Sequence, residues 1–130
     1  MNINLNSVQR YKKLFFCVIA LSLASTVVFA HDVPEYPSVP SVDYGSKVFS
    51  QRCVLCHGRT GKGDGRMARV IKAPPPADLT ASRLPDDYLL DIIVRGSEAL
   101  GRSKHMPPWG EALKTIEIDS VVMFVKSIRD

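Results

Sequence analysis

The sequence lacks any run of alternating apolar and polar residues that would indicate a β-strand, so no sheet is expected. It also lacks a strong charge excess outside its N-terminal region. The chain carries 17 Lys and Arg residues against 13 Asp and Glu residues, a net charge of +4. Three of those cations precede residue 31, and no acidic residue does. The remainder is nearly neutral, so nothing in its charge indicates a nucleic-acid partner.

The first 30 residues are typical of a secretory signal. Arg10, Lys12 and Lys13 precede an uncharged, mostly apolar run at 14–30 that ends in small residues suited to a signal peptidase. We therefore expect export to the periplasm and cleavage after Ala30. No twin-arginine pair is present, which suits a protein exported unfolded. The alternative is an uncleaved membrane anchor, for which the run is at the short end of spanning length.

Two of the three cysteines, Cys53 and Cys56, have two residues between them, and His57 follows directly. This Cys-x-x-Cys-His pattern is the attachment signature of c-type haem. Each thiol can form a thioether with one vinyl group, and the histidine then lies under the iron as its proximal ligand. A thioredoxin-like dithiol normally lies in a βαβ pattern, and a zinc site needs a second Cys or His pair. Neither feature is evident in the sequence.

The third cysteine, Cys17, lies inside the apolar signal run and is interpreted as an ordinary apolar residue. Only the two cysteines of the motif then remain in the exported protein. Both would be consumed by haem attachment, so no disulfide is expected even in an oxidising compartment. A buried macrocycle would supply apolar contacts that a domain of this size otherwise lacks.

Beyond this motif the chain resembles the class I c-type cytochromes. More narrowly, it is similar to small bacterial monohaem cytochromes and to the haem domains of terminal oxidase and dehydrogenase subunits. The resemblance extends from about residue 44 to 129, and the segments that carry it are 53–58, 61–65, 74–80 and 106–110, with the closing helix. It implies an all-α, class I cytochrome c fold. Three to five helices would surround one haem c held by two thioethers, and the N- and C-terminal helices would cross.

The predicted organisation is a signal peptide at 1–30, a proline-rich lead at 31–42 and a haem domain at 43–130. Prolines at three-residue intervals in the lead indicate extended, polyproline-like backbone. The lead is interpreted either as a spacer or docking arm, or as a loosely ordered terminus.

Helical patterns cover 43–52, 84–95 and 115–129, and a short helix is predicted at 66–72. Ser41 or Asp43 is the candidate cap of the first helix and Thr115 that of the last. The resemblance places a glycine, here Gly45, at the close crossing of the terminal helices, where Phe124 should meet it and Phe49. Otherwise Gly45 merely marks a fraying first turn.

Two segments are predicted to support the proximal side of the haem. The glycines of 61–65 permit a loop against the haem edge, and the segment lacks the Gly-Lys-Ser/Thr ending of a phosphate loop. In the family, a proline carbonyl after this loop accepts the Nδ1–H of the proximal histidine. Pro76 is the candidate, and the alternative is a rigid turn without contact to His57.

The resemblance makes Met106 the distal iron ligand, 49 positions after His57. Its neutral thioether favours Fe(II) and raises the reduction potential. Met67 is too close to His57 in sequence, and Met123 falls opposite the apolar stripe of its helix. The main rival is His105, whose imidazole is also a good ligand, although an exposed or propionate-contacting side chain is the plainer interpretation.

Trp109 is predicted to belong to the haem pocket. Its indole N–H would bond a haem propionate, or its ring would serve only as a core aromatic. The residue patterns leave these two interpretations open. In either case Trp109 directly follows Pro107 and Pro108, which stiffen the segment after Met106.

An iron ligated by protein on both sides has no open position for substrate, so the predicted function is one-electron transfer rather than catalysis. The expected partners are redox proteins, and the membrane is involved only if the signal is retained. A haem-bearing subunit of a larger dehydrogenase or oxidase is the alternative. A five-coordinate haem enzyme or gas sensor requires a labile Met106. Basic residues are concentrated at 59–72 and just before Met106. They predict a basic rim at the haem edge that docks an acidic patch on the partner. The alternative is that these charges only keep a solvated loop soluble.

Overall fold

A computed structural model describes residues 36–130. The predicted signal peptide, its cleavage position and residues 31–35 of the proline-rich lead lie outside the described residues. Within 36–130 the ordered structure is entirely helical, which confirms the all-α prediction. The described residues form four α-helices, namely α1 (Val42–Arg52), α2 (Val54–His57), α3 (Asp86–Arg95) and α4 (Thr115–Ser127). The same part of the chain contains two short 3₁₀ turns, at Arg66–Arg69 and Glu98–Leu100.

Helix ends differ in detail from the sequence pattern. Ser41 caps α1, and its hydroxyl accepts a hydrogen bond from the N–H of Tyr44 at 3.2 Å. The prediction of Thr115 as the cap of α4 is wrong by one residue. Lys114 occupies that position, and the carboxylate of Glu117 accepts its backbone N–H at 2.8 Å. The predicted helix at 66–72 is only a 3₁₀ turn that ends at Arg69.

The crossing of α1 and α4 organises the fold, as predicted. Gly45 lies so close to α4 that a Cβ there would come within 1.9 Å of the carbonyl oxygen of Ser120 and 2.9 Å of the Cβ of Phe124. The rings of Phe49 and Phe124 pack with their centroids 5.0 Å apart. The glycine therefore serves a close helix contact rather than a frayed end.

Polar groups also fasten this crossing. Ser120 is fully buried, and its hydroxyl accepts the backbone N–H of Ser41 at 3.1 Å while donating to the carbonyl of Ile116 at 2.6 Å. Lys126 of α4 pairs with Asp86 at the start of α3. These contacts hold the first and last helices in one arrangement and attach α3 to them.

The apolar core forms where these helices meet, and it brings together α1, α3 and α4. Its buried members are Val48, Phe49, Leu89, Ile93, Leu113, Ile118, Val121 and Val125. Tyr36 of the proline-rich lead contacts the residue that caps α4. The Nζ of Lys114 lies 3.3 Å from the centroid of the Tyr36 ring, a cation–π contact. Among residues 36–130, no helix has both the length and the apolar character needed to span a membrane.

Candidate haem-binding site

The Cys-x-x-Cys-His motif forms a single helical turn. The backbone N–H of His57 bonds the carbonyl of Cys53 at 3.0 Å, and α2 ends at Gly58. Both cysteine side chains are part-buried and are not joined in a disulfide. Burial, reinforced by the nearby Cys56, raises the pKa of the Cys53 thiol to about 12. A reactive dithiol requires a lowered thiol pKa, so this environment argues against a thioredoxin-like role.

The imidazole of His57 is held by a backbone carbonyl. Its Nδ1 lies 3.1 Å from the carbonyl oxygen of Ala77. A carbonyl only accepts hydrogen bonds, so Nδ1 carries the hydrogen and the lone pair resides on Nε2, the atom available to a metal. Burial lowers the pKa of His57, with the Ala77 bond acting in the opposite direction, which favours the neutral form.

The acceptor of this bond corrects the prediction by one residue. Pro76 was expected to accept from His57, but its carbonyl faces the glycine loop instead. A Cβ on Gly63 would lie 2.4 Å from the Pro76 oxygen, and Gly63 has a φ of 74° that suits only glycine. Successive carbonyls of this segment point to different neighbours, so Pro76 meets the loop and Ala77 meets the imidazole.

The glycine loop closes on the proximal segment through main-chain bonds. The N–H of Gly63 donates to the carbonyl of His57 at 2.8 Å, and the N–H of Leu79 donates to the carbonyl of Gly61 at 2.7 Å. The loop thus links the haem-attachment turn to residues 76–79. The cavity lining includes none of the residues 61–65, so the predicted contact of this loop with the haem edge stays a prediction.

Met106 lies in a segment that runs beside the end of α3. Three backbone bonds join the two. The N–H of Ser97 donates to the carbonyl of Met106 at 3.2 Å, and the N–H groups of Trp109 and Gly110 donate to Ile93 and Val94 at 3.0 and 3.1 Å. A Cβ on Gly96 would press within 3.0 Å of this segment, so the approach is close. The position of Met106 is therefore determined mainly by the end of α3.

A cavity of about 530 Å³ brings the predicted site residues together. Its size falls within the roughly 300–1,000 Å³ typical of ligand sites. The walls are largely apolar, with side chains from α1, α3 and α4. The cavity is lined by every residue assigned to the site from sequence, namely Cys53, Cys56, His57, Pro76, Met106 and Trp109.

Two neighbours of Met106 contribute to the same cavity. His105 lines it while remaining exposed, and Met106 is part-buried and packs against the apolar core. Trp109 also packs against the core while lining the cavity, and the bond from its indole N–H to a haem propionate stays a prediction. Met67 and Met123, the other methionines considered as iron ligands, do not line this cavity. Met123 is also 41% exposed.

The donor set and the apolar walls fit a haem. Cys53 and Cys56 are placed on one turn for thioether bonds, His57 offers a neutral Nε2, and the thioether of Met106 shares the cavity. A zinc site does not fit these residues as well. Within the described part of the chain, no three His, Cys, Asp or Glu side chains cluster in a way that would hold a metal ion.

Sequence reasoning missed two residues of the site. Ala77 supplies the carbonyl for His57, and no side-chain pattern signals a main-chain acceptor. Ser97 is 4% exposed and bonds the segment that carries Met106. Its position directly after Gly96, at the end of an amphipathic helix, was the available signal.

Comparison with known proteins agrees with this site. The sequence profile of a family described as cytochrome c oxidase, cbb3-type, subunit III matches residues 40–125. No protein in the curated set matches the chain. Among solved structures, the chain is similar to a component of the reducing HAO-like protein complex Kustc0457/Kustc0458 of Kuenenia stuttgartiensis, with 28% sequence identity and a TM-score of 0.56. The match covers 73% of this chain and 45% of that one, so this chain spans less than half of its relative.

Proposed function

The chain belongs to the family described as cytochrome c oxidase, cbb3-type, subunit III, and we propose that it is a periplasmic one-electron carrier whose haem c is ligated by His57 and Met106. The family is one of cytochrome c domains, which bind haem and transfer electrons. The observation that carries the finer proposal is the shared cavity of Cys53, Cys56, His57 and Met106. When bound, the haem supplies a one-electron redox couple.

Each residue of the site has a separate task in this proposal. Cys53 and Cys56 hold the group covalently, and His57 presents Nε2 because Ala77 takes the hydrogen of Nδ1. His57 and Met106 would both ligate the iron, and the Met106 thioether would favour the reduced state. The apolar walls would exclude water from the site. An iron held by two protein side chains would leave no position for a substrate, so the proposed role is electron transfer rather than catalysis.

The proposed compartment follows from the N-terminal segment and from the chemistry. The secretory pattern of residues 1–30 supports export and cleavage after Ala30. Haem c attachment suits an exported chain in which Cys53 and Cys56 are the only remaining cysteines. Determining the N-terminal residue of the purified protein tests this directly. A chain that begins at Met1 would contradict cleavage.

The proposed docking surface is a basic rim on the glycine loop, the 3₁₀ turn and the Met106 loop. Its exposed members are Arg59, Lys62, Arg66, Arg69, Lys72, Arg102 and Lys104. In residues 36–130, the ion pairs between side chains involve Arg95 and Lys126, so the rim cations are not used internally. Two exposed apolar side chains lie nearby in sequence, Leu55 in α2 and Val70 directly after the 3₁₀ turn, and Leu55 also lines the cavity. An acidic redox partner fits this surface.

A second candidate is a haem-bearing subunit of a larger oxidoreductase. The observation that favours it is the structural relative, which is part of a protein complex and has a chain more than twice as long as the matched region. Native mass measurement and identification of co-purifying proteins distinguish a free carrier from such a subunit.

The decisive experiment examines the attachment of the pigment and the state of the iron. Acid denaturation followed by solvent extraction should leave the colour on the chain, because two thioethers hold it. The Met106→Ala variant should lower the reduction potential and allow carbon monoxide to bind the reduced protein, whereas Met123→Ala, an exposed methionine, should change neither. Extractable pigment would overturn covalent attachment. Ready carbon monoxide binding by the wild type would overturn stable ligation by Met106 and favour a gas-binding protein.

A further inference from the structure

Ser97 is a buried serine that bonds three parts of the loop bearing Met106. Its backbone N–H donates to the carbonyl of Met106 at 3.2 Å, and its own carbonyl accepts the N–H of Arg102 at 2.9 Å. Its hydroxyl donates to the carbonyl of Ser103. Only 4% of the residue is exposed, so these bonds form away from competing water.

The loop places two good iron ligands side by side. His105 and Met106 are adjacent in sequence, and both line the cavity. A movement of the main chain by one residue would exchange imidazole for thioether at the distal position. These groups give very different reduction potentials, so the loop must favour one of them.

The hydrogen bonds of Ser97 and Ser103 fix the backbone on both sides of His105 in sequence. The hydroxyl of Ser103 accepts the backbone N–H of His105 at 3.1 Å, and the hydroxyl of Ser97 holds the carbonyl of Ser103. Ser97 also holds the Met106 carbonyl through its own N–H. In this conformation His105 stays exposed and Met106 is part-buried against the core.

We propose that Ser97 is a positioning residue whose hydroxyl keeps His105 out of the distal site and so selects Met106 as the iron ligand. The proposal rests on the His57 and Met106 ligation put forward above. It extends that function because it assigns the choice between two available ligands to one buried side chain. Ser97 touches neither the iron nor a partner in this role and acts through the loop.

The test uses the exported, haem-loaded protein and the charge-transfer absorption that accompanies a methionine–Fe(III) bond. Ser97→Ala should shift the ratio of histidine- to methionine-ligated protein by roughly tenfold, in the range found for residues that orient metal ligands. The methionine band should weaken and the reduction potential should fall. Ser97→Thr keeps the hydroxyl and should restore both. Ser50→Ala is the matched control, since the Ser50 hydroxyl also donates to a backbone carbonyl but is exposed and lies outside the cavity lining.

A second substitution separates ligand selection from simple loosening of the loop. Adding His105→Asn to Ser97→Ala removes the rival ligand, so the methionine band should return. The proposal is overturned if Ser97→Ala keeps the full band, or if the band is lost equally with and without His105. Should Ser97→Ala not fold, Ser97→Cys, which replaces the hydroxyl by a weak thiol donor of similar size, must show the same loss and the same rescue, and an unchanged band there overturns the proposal. A wild type without the band would overturn the His/Met ligation itself.

Discussion

Gly45 and Ser120 meet where α1 crosses α4, and a Cβ on the glycine would come within 1.9 Å of the Ser120 carbonyl oxygen. That oxygen belongs to the main chain of a helix, so it cannot rotate away as a side chain would. The separation of the two helices at this point is therefore determined by the absence of a side chain at one position.

Replacing Gly45 by alanine should destabilise the protein by about 2 kcal/mol. Alanine improves helix propensity by about 1 kcal/mol, but the overlap with α4 forces the helices apart and outweighs that gain. Denaturant unfolding of the haem-loaded protein measures the effect. The control is Lys47→Ala on an exposed position of the same helix, which should be near neutral. A Gly45→Ala protein as stable as the wild type would contradict the close crossing.

Removing the hydroxyl of Ser120 should cost about 1–2 kcal/mol, because the part-buried N–H of Ser41 then loses its acceptor. The effect is read from the denaturant midpoint. Ser127→Ala is a matched control on the same helix, since the Ser127 hydroxyl also bonds a backbone carbonyl but is exposed. Equal losses from the two substitutions would show that burial of the Ser41 bond does not matter.

Asp78 should make stability depend on pH in the acid range. Its carboxylate accepts the hydroxyl and the N–H of Thr80 at 2.7 and 2.9 Å, and chiefly the hydroxyl bond lowers its pKa below the ordinary value of 3.8. Since the folded pKa is the lower one, this contribution is present above the unfolded pKa and is lost as the pH falls through the folded pKa.

The Asp78→Asn variant should therefore be less stable than the wild type at neutral pH, and the two should converge at pH values below 3.8. Unfolding midpoints measured across this range check the expectation. Glu111→Gln, an exposed carboxylate in a different loop, serves as the control. A difference between wild type and Asp78→Asn that stays constant with pH would contradict the assignment.

Charge reversal in the basic rim should change electron-transfer rates according to the charge of the reagent. The double variant Arg66→Glu/Arg69→Glu should react about tenfold more slowly with hexacyanoferrate(III) at low ionic strength and faster with a cationic cobalt(III) complex. Added salt should reduce both differences. Lys47→Glu on α1 provides a control outside the rim. Rates that do not respond to salt would rule out electrostatic steering.

The helical fold was predictable because side-chain patterns determine it. The resemblance to class I cytochromes places Gly45, Phe49 and Phe124 at a close crossing of the terminal helices, and the structure confirms those contacts. The grouping of Cys53 with His57 follows from a motif whose spacing equals one helical turn. In these cases each residue acts through its own side chain or through the lack of one.

The details that sequence could not predict depend on main-chain atoms. Any residue carries a carbonyl, so nothing in the letters distinguishes Ala77 from Pro76 as the acceptor for His57. The same holds for the cap of α4, where the Lys114 N–H donates to the Glu117 carboxylate and the Lys114 carbonyl accepts the Glu117 N–H. The role of Ser97 depends on which carbonyls a loop brings near it, and that is decided by tertiary packing.

The core and the cavity share their side chains. Phe49, Leu89, Ile93, Val121 and Val125 belong to the packed interior and also form the cavity wall. Loosening the helices therefore admits water to the pigment at the same time, so colour and compactness change in a single event. Visible absorption should therefore report on folding of the haem-loaded protein. Substitutions that repack the interior should also change the reduction potential.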